Sequence, residues 1–395
     1  MTHPRLAETE ALLAELVAFP TVSAASNRAL TDRLAERLEG LGARVRVDPD
    51  PTGAKANLWA SLGPERAPEE DRGIVLSGHT DVVPPGDGPW TGDPFRLREA
   101  GGRLYGRGTC DMKGFVACAT AIAAEAAERP LAHPLHLAFT YDEEVGCFGA
   151  KAMVAALSAE GRRPAMAIIG EPTAMRVIEG HKGNCEYHTR IAGLPGHSAR
   201  PDLCVSAADA AVRYAARLLQ LGEALKARAP RGSRFEPPHA TLNIGRIDSG
   251  TVHNVIAERA HIAWEVRTVS PGDAAFVCAE IDAHAEALLG TMRAVYPGAA
   301  IERITIGDVP GLEPAQDNAA RDVALALTGP MTGETEALHV AFGTEAGLYR
   351  RLGLSAVVCG PGDIAQAHRA DEFVARSQLD ACLTMLSGLV ARLAG

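Results

Sequence analysis

Paired cysteines, long apolar runs and an excess of basic charge are all missing from this chain, and each absence removes a class of function. Eight cysteines are scattered (Cys110, Cys118, Cys147, Cys185, Cys204, Cys278, Cys359, Cys382) with no Cys-x-x-Cys spacing. That argues against a disulfide framework and a thiolate zinc knuckle, and leaves the thiols as mostly small buried hydrophobes. No run reaches the ~18 apolar residues that a membrane span needs. A net charge of −10, with a pI near 5.7, gives no footprint for nucleic acid or an anionic membrane. The opening "MTHPRLAETEALLAELVAFPTVS" reads as an acidic amphipathic helix before a Pro-Thr break. It lacks the basic start and small-residue cleavage site of a secretory signal, so a cytoplasmic location is expected.

The chain has 395 residues, 47% of them hydrophobic and 22% charged, which points to a globular protein with two domains. Short apolar runs ("GIVLSGH", "LHLAFTYDEE", "AMAIIGEPT", "LSAVVCGPG") end in turn residues and alternate with Ala-rich helical stretches ("GFVACATAIAAEAAERP", "GAKAMVAALSAEG"). Such alternation predicts an α/β domain with a mostly parallel, helix-covered sheet. From residue 181 to 292 the pattern changes to strand, helix, strand, strand, helix, strand. This predicts an inserted α+β domain, ferredoxin-like, with helices on one face of an antiparallel sheet. The expected boundaries are therefore 1–180 with 293–395 for the catalytic domain and 181–292 for the insertion. No internal repeat is present.

The residues that follow the apolar runs carry the chemistry. His79 and Asp81 come after "GIVLSG", and on their own they form a short and common pattern. Glu143 and Glu144 follow "LHLAFTY", Glu171 ends "AMAIIG", Asp111 precedes an Ala-rich helix, and His368 comes after "LSAVVCGPGDIAQA". In a parallel α/β sheet the carboxyl ends of the strands line one crevice. His79, Asp111, Glu144, Glu171 and His368 then point at one place, and the set suits two divalent ions. Asp111 would bridge, His79 and Glu171 would serve one ion, and Glu144 and His368 the other. Nitrogen and carboxylate donors without thiolate suit zinc, cobalt or manganese. Glu143 is left over, placed to move a proton to and from an attacking water. Asp81 can fix the His79 imidazole from behind, accept a hydrogen bond that does so, or cap its own loop.

Together "SGHTDVVPPGDGPWTGDPF", "LYGRGTCDMKG", "TYDEEVGCFGAKAM", "IIGEPT" and "GLPGHSARP" resemble the M20 family of dinuclear zinc aminoacylases and peptidases. Within it the nearer likeness is to the branch that deacetylates N2-acetyl-L-ornithine. That likeness is carried by "FGTEAGLYRRLGLSAVVCGPGDIAQAHRADEFV" and "RFEPPHATLNIGRIDSGTVHNVIA". The resemblance implies two zinc or cobalt ions on the same five ligands, Glu143 as general base and acid, and Asp81 supporting His79. It also implies a cis peptide just after Asp111. It further implies a homodimer built through the inserted domain, with His197 reaching a neighbouring subunit's site to stabilise an oxyanion. Asn254 and Arg267 match the family's grip on a substrate carboxylate. Glu345, with Gly343 and Thr344, stands where desuccinylating relatives carry serine and aspartate, and could meet a cationic substrate side chain. His253 and "AERAH" depart from the branch's usual pattern in loops on the substrate side. The expected reaction is amide hydrolysis of an N-acyl amino acid. A succinyl-diaminopimelate desuccinylase, a broader N-acyl-amino-acid hydrolase or dipeptidase, and a non-catalytic binding protein are the other readings. Partners other than a small-molecule substrate and a second copy of the chain, such as nucleic acid or membrane, are not expected.

Overall fold

A computed structural model describes residues 2–395, which divide into two units. The first runs to Gly180 and resumes at Pro314–Leu338 and Thr344–Gly395; the second is His181–Glu313 with His339–Gly343.

The first unit is built on an eight-stranded sheet. Its order is Arg44–Pro49, Ala56–Leu62, Leu135–Thr140, Ile74–His79, Met166–Pro172, Ser355–Gly360, Ile178–His181 and Leu338–Val340. The four middle strands, from Leu135–Thr140 to Ser355–Gly360, are parallel. Arg44–Pro49 and Ala56–Leu62 add on antiparallel at one side, and Ile178–His181 does so at the other. The middle strands are apolar along nearly their whole length because both faces are covered by helices. One cover is the Ala-rich helix Lys113–Ala127, buried at almost every position. Its approach to the sheet depends on Gly170, where an added Cβ would stand 1.9 Å from the Phe115 ring. The missing side chain lets the start of this helix, with Asp111 just before it, lie against the strand that carries Glu171. The helices Leu6–Val17 and Arg376–Ala394 contribute Leu12, Leu13, Leu16, Leu383, Leu386 and Leu389 to the same core.

The second unit is a four-stranded antiparallel sheet in the order Thr241–Ser249, Arg259–Thr268, Gly183–Ala192, Ala300–Val309. With the helices Ala207–Lys226 and Gly272–Arg293 between strands, this is the expected ferredoxin-like arrangement. One face is apolar: Tyr187, Ile191, Ile262, Trp264 and Val266 meet Tyr214, Leu218 and Ile281 from the helices. The alternating residues on the same strands, such as Glu186, His188 and Arg190, are only partly covered or exposed.

One expectation needs correction. The second unit does not end at residue 292 but continues to Glu313, because Ala300–Val309 is its last strand and pairs with Gly183–Ala192. Thr241–Ser249 is an edge strand exposed over most of its length. Six of the eight cysteines are buried, and all are free thiols. No helix among the described residues is long and apolar enough to cross a membrane.

Candidate metal centre

The five expected ligands all lie in the first unit: His79, Glu144 and Glu171 at or just past the carboxyl ends of parallel strands, and Asp111 and His368 on loops that reach them. His79 is the last residue of its strand and Glu171 the last but one of its own. Glu143 and Glu144 follow Leu135–Thr140 in a turn where Asp142 takes a left-handed conformation, with a φ of 55°. Lys55 holds that turn, its Nζ bonding both Asp142 carboxylate oxygens. Asp111 immediately precedes a cis peptide bond to Met112, as the family likeness implies.

The side chains converge. Asp111 directs its Oδ1 to His79 Nε2 at 2.9 Å and its Oδ2 towards His368 Nε2 at 3.6 Å. Glu171 Oε1 lies 3.7 Å from His79 Nε2, and Glu144 Oε2 lies 3.0 Å from His368 Nε2. Candidate ligand atoms of His79, Asp111 and Glu144 stand within 4.8 Å of one another, as do those of His79, Glu143 and Glu171. Glu143 therefore reaches the same focus as the ligands instead of standing apart from it. His368, in a left-handed backbone at φ 62°, closes the exposed rim through Glu144.

The donor set can be tested against a divalent cation by its charge and by its unmet oxygens. Asp111, Glu143, Glu144 and Glu171 crowd together with two imidazoles. Burial, and next the charge of Asp111, push the Glu171 carboxyl well above its usual range; Glu144 rises for the same two reasons. Burial, and then Glu144, Asp111 and Asp81 against the opposing pull of His79, raise Glu143 to about 8. Burial works against a charged His79, but the Asp111 hydrogen bond and the Glu171 charge outweigh it and raise its pKa. Glu144 Oε1 and Glu171 Oε1 are buried without a hydrogen-bond partner. Such acids and orphaned oxygens are costly in a low-dielectric pocket unless a cation neutralises them. These residues fit divalent metal ions.

Asp81 backs His79 in two ways. Its backbone carbonyl meets His79 Nδ1 at 2.9 Å, and its carboxylate Oδ1 stands 3.6 Å from the same nitrogen. The carboxylate accepts the amides of Glu143 and Glu144 at 3.1 and 3.4 Å and the Ser23 hydroxyl at 2.7 Å. One residue thus fixes the histidine and the paired glutamates.

The expected substrate residues are not brought into this cluster as a group. Glu345 is fully buried: it accepts hydrogen bonds from the Ser77 and Thr140 hydroxyls. That corrects its expected place facing a substrate side chain, because two hydroxyls from neighbouring strands draw the carboxylate into the sheet. Thr344 accepts the Ala346 amide at the start of the helix Ala346–Arg351. His197, Asn254, Arg267 and Gly343 belong to the second unit. There His197 pairs with Val255 in a two-residue ribbon, and the Asn254 carbonyl accepts the Ser198 amide. Arg267 lies on Arg259–Thr268 and is ion-paired with Glu265 at 2.9 Å. Reading along the sequence missed Glu372, a buried carboxylate that accepts the amides of Cys110 and Asp111 and whose only signal is its place four residues after His368.

Known proteins with these features are informative. Residues 75–392 match peptidase family M20/M25/M40. The chain is 34% identical to the acetylornithine deacetylase of Proteus mirabilis, over 96% of this chain and 95% of that one. The acetylornithine deacetylase of Photorhabdus laumondii is also 34% identical, with the same coverage of both chains. Among solved structures, an M20 family metallo-carboxypeptidase from Sulfolobus solfataricus superposes with a TM-score of 0.76 at 16% identity, covering 98% of this chain and 99% of that one. A tripeptidase from Staphylococcus aureus superposes with a TM-score of 0.74 at 17% identity, over 100% and 99% of the two chains.

Proposed function

The chain belongs to peptidase family M20/M25/M40 and is a metal-dependent amidohydrolase, and from that premise we propose that it converts N2-acetyl-L-ornithine to acetate and L-ornithine. Support for this substrate comes from the two deacetylases matched along nearly their full lengths. Ornithine released in this way would serve arginine biosynthesis in the cytoplasm.

The observation that carries the chemistry is the convergence of His79, Asp111, Glu143, Glu144 and Glu171 beneath the exposed His368 at the carboxyl end of the parallel strands. In this reading His79 with Glu171 holds one divalent ion, Glu144 with His368 holds a second, and Asp111 is shared; zinc or cobalt suits these donors. Ions so held would polarise the acyl carbonyl and make a water acidic enough to lose its proton near neutral pH. Glu143 accepts that proton as the water oxygen attacks the acyl carbon, and returns it to the α-amine nitrogen as the C–N bond breaks. Burial, which disfavours the charged carboxylate, suits a group that must accept a proton and then give it up. Asp81 keeps Glu143 and His79 in register through the hydrogen bonds of its carboxylate and carbonyl. Asn254 and Arg267 take the substrate's α-carboxylate, and His197 from a second copy in a homodimer stabilises the developing oxyanion.

The test is acetate release from N2-acetyl-L-ornithine by metal-loaded protein, beside N-succinyl-diaminopimelate and N-acetylmethionine, with Glu143→Ala as control. The highest kcat/KM is expected on acetylornithine, with loss of turnover in the control. A higher kcat/KM on either other substrate would keep the hydrolase and remove the ornithine assignment.

A further inference from the structure

Outside the six converging side chains, a buried ion pair stands where three ligand-bearing segments meet. Arg107 and Glu372 are each about 1% exposed, with Nη1 to Oε2 at 2.7 Å. The Glu372 carboxylate does more than pair: Oε2 also accepts the Gly108 amide at 2.9 Å. Its Oε1 accepts the amides of Cys110 at 2.9 Å and Asp111 at 3.0 Å. Three backbone amides of the chain that presents Asp111, those of Gly108, Cys110 and Asp111 itself, therefore hang on one carboxylate, while the Glu372 carbonyl accepts the Gly106 amide at 2.9 Å.

The other two segments are tied to the same pair. Arg107 Nη2 donates to the carbonyls of Pro84 at 3.3 Å and Pro85 at 3.4 Å, on the chain that follows His79 and Asp81. Glu372 lies four residues beyond His368, and the start of that segment is fastened too, since Cys110 Sγ meets the Asp363 carbonyl at 3.3 Å. A buried charge pair of this kind contributes little to stability against an apolar replacement, so its placement calls for another reason.

We propose that the Arg107–Glu372 pair is the positioning element of the metal centre, fixing the shared ligand Asp111 relative to His79 and His368 and thereby setting metal affinity. The inference rests on the reading that these residues hold two divalent ions. Neither Arg107 nor Glu372 touches substrate or reacting atoms; both act through the backbone that carries Asp111. A glutamine at 372 keeps the volume but turns one acceptor edge into a donor, which then faces either the Gly108 amide and Arg107 or the amides of Cys110 and Asp111. An aspartate keeps both acceptors on a shorter stem and reaches fewer of the amides.

The experiment titrates zinc into the metal-free full-length chain by calorimetry and counts bound ions after dialysis. Wild type, Glu372→Gln, Glu372→Asp and Asp71→Asn are compared, with the Tm of each metal-free protein. Asp71 is an equally buried carboxylate that bonds His136 and Arg162 and no ligand, so its variant controls for lost stability alone. Wild type should take up two ions. Glu372→Gln should bind about 10- to 100-fold more weakly, with Glu372→Asp between them and Asp71→Asn at wild-type affinity despite its lower Tm. If Glu372→Gln does not fold, the weaker binding of Glu372→Asp decides the matter. Wild-type affinity in the foldable Glu372 variants, or an equal loss in Asp71→Asn at equal Tm, overturns the positioning role while leaving the two-ion reading intact. A wild type that takes up no ion overturns both.

Discussion

The carboxylate of Asp81 accepts the backbone amide of Glu143 at 3.1 Å, while the carbonyl of the same residue meets His79. A single aspartate thus orients a ligand and the proposed base at once. Asp81→Asn replaces one acceptor oxygen by a donor that opposes the amide of Glu143 or that of Glu144, since each bonds a different oxygen. The expected result is a kcat lower by about 10- to 100-fold with a smaller change in KM, read from steady-state kinetics on acetylornithine. Loss confined to KM would show that Asp81 serves substrate binding instead.

Glu143 bears on proton transfer and should be separable from metal binding. Glu143→Gln keeps the size and the nearby ligands but cannot shuttle a proton. Its kcat should fall by about 10²- to 10⁴-fold while metal content, measured by elemental analysis, stays at the wild-type level. A variant that loses its metal in proportion to its activity would make Glu143 a ligand.

The buried Glu345 leads to a prediction opposite to the one its sequence position suggests. Burial raises its carboxyl, and the Ser77 and Thr140 hydroxyls partly offset this. Glu345→Gln should lower stability by about 1–3 kcal/mol, the cost of disturbing a buried acceptor, with KM for acetylornithine almost unchanged. Thermal unfolding and kinetics on the same sample check both parts. A large rise in KM at unchanged Tm would return Glu345 to the substrate.

Stability should respond to acid through Asp71, at the other end of the sheet. Burial opposes its charge, but the His136 hydrogen bond (3.1 Å), the Gly73 amide (2.9 Å) and Arg162 (2.8 Å) outweigh it and hold the carboxyl below the usual carboxylate range. His136 is itself lowered, first by burial, against the opposing pull of Asp71. The unfolded chain takes up the aspartate proton near pH ~3.9, before the folded chain does. The stabilisation is therefore complete above that pH and is lost as pH falls through the lower folded value. Asp71→Asn should be less stable than wild type by about 1–3 kcal/mol at pH 7, and denaturant unfolding should show the gap narrowing below about pH 4.

Residues that sit directly on the strand ends were readable from the sequence. His79 and Glu171 follow apolar runs whose burial on both faces leaves no doubt about the strand, and the crevice rule then brings them together. The ferredoxin-like order of the second unit was readable for a different reason, the alternation along Gly183–Ala192 and Arg259–Thr268 that one covered face produces. Its last strand, Ala300–Val309, alternates poorly and is largely uncovered, so its end was misplaced. Glu372 and Glu345 were beyond reach because their partners are distant in sequence: Asp111 lies 261 residues from Glu372, and Thr140 lies 205 from Glu345. A buried carboxylate in a loop has the same composition as a solvated one, and only the fold supplies the amides and hydroxyls that distinguish them.

Anomalous diffraction from zinc-loaded crystals tests the central claim most directly. The account predicts two peaks about 3.5–4 Å apart, with Asp111 between them, His79 and Glu171 on one, Glu144 and His368 on the other, and Glu143 on neither. A single peak, or a zinc held by Glu143 in place of one of the five ligands, would contradict it.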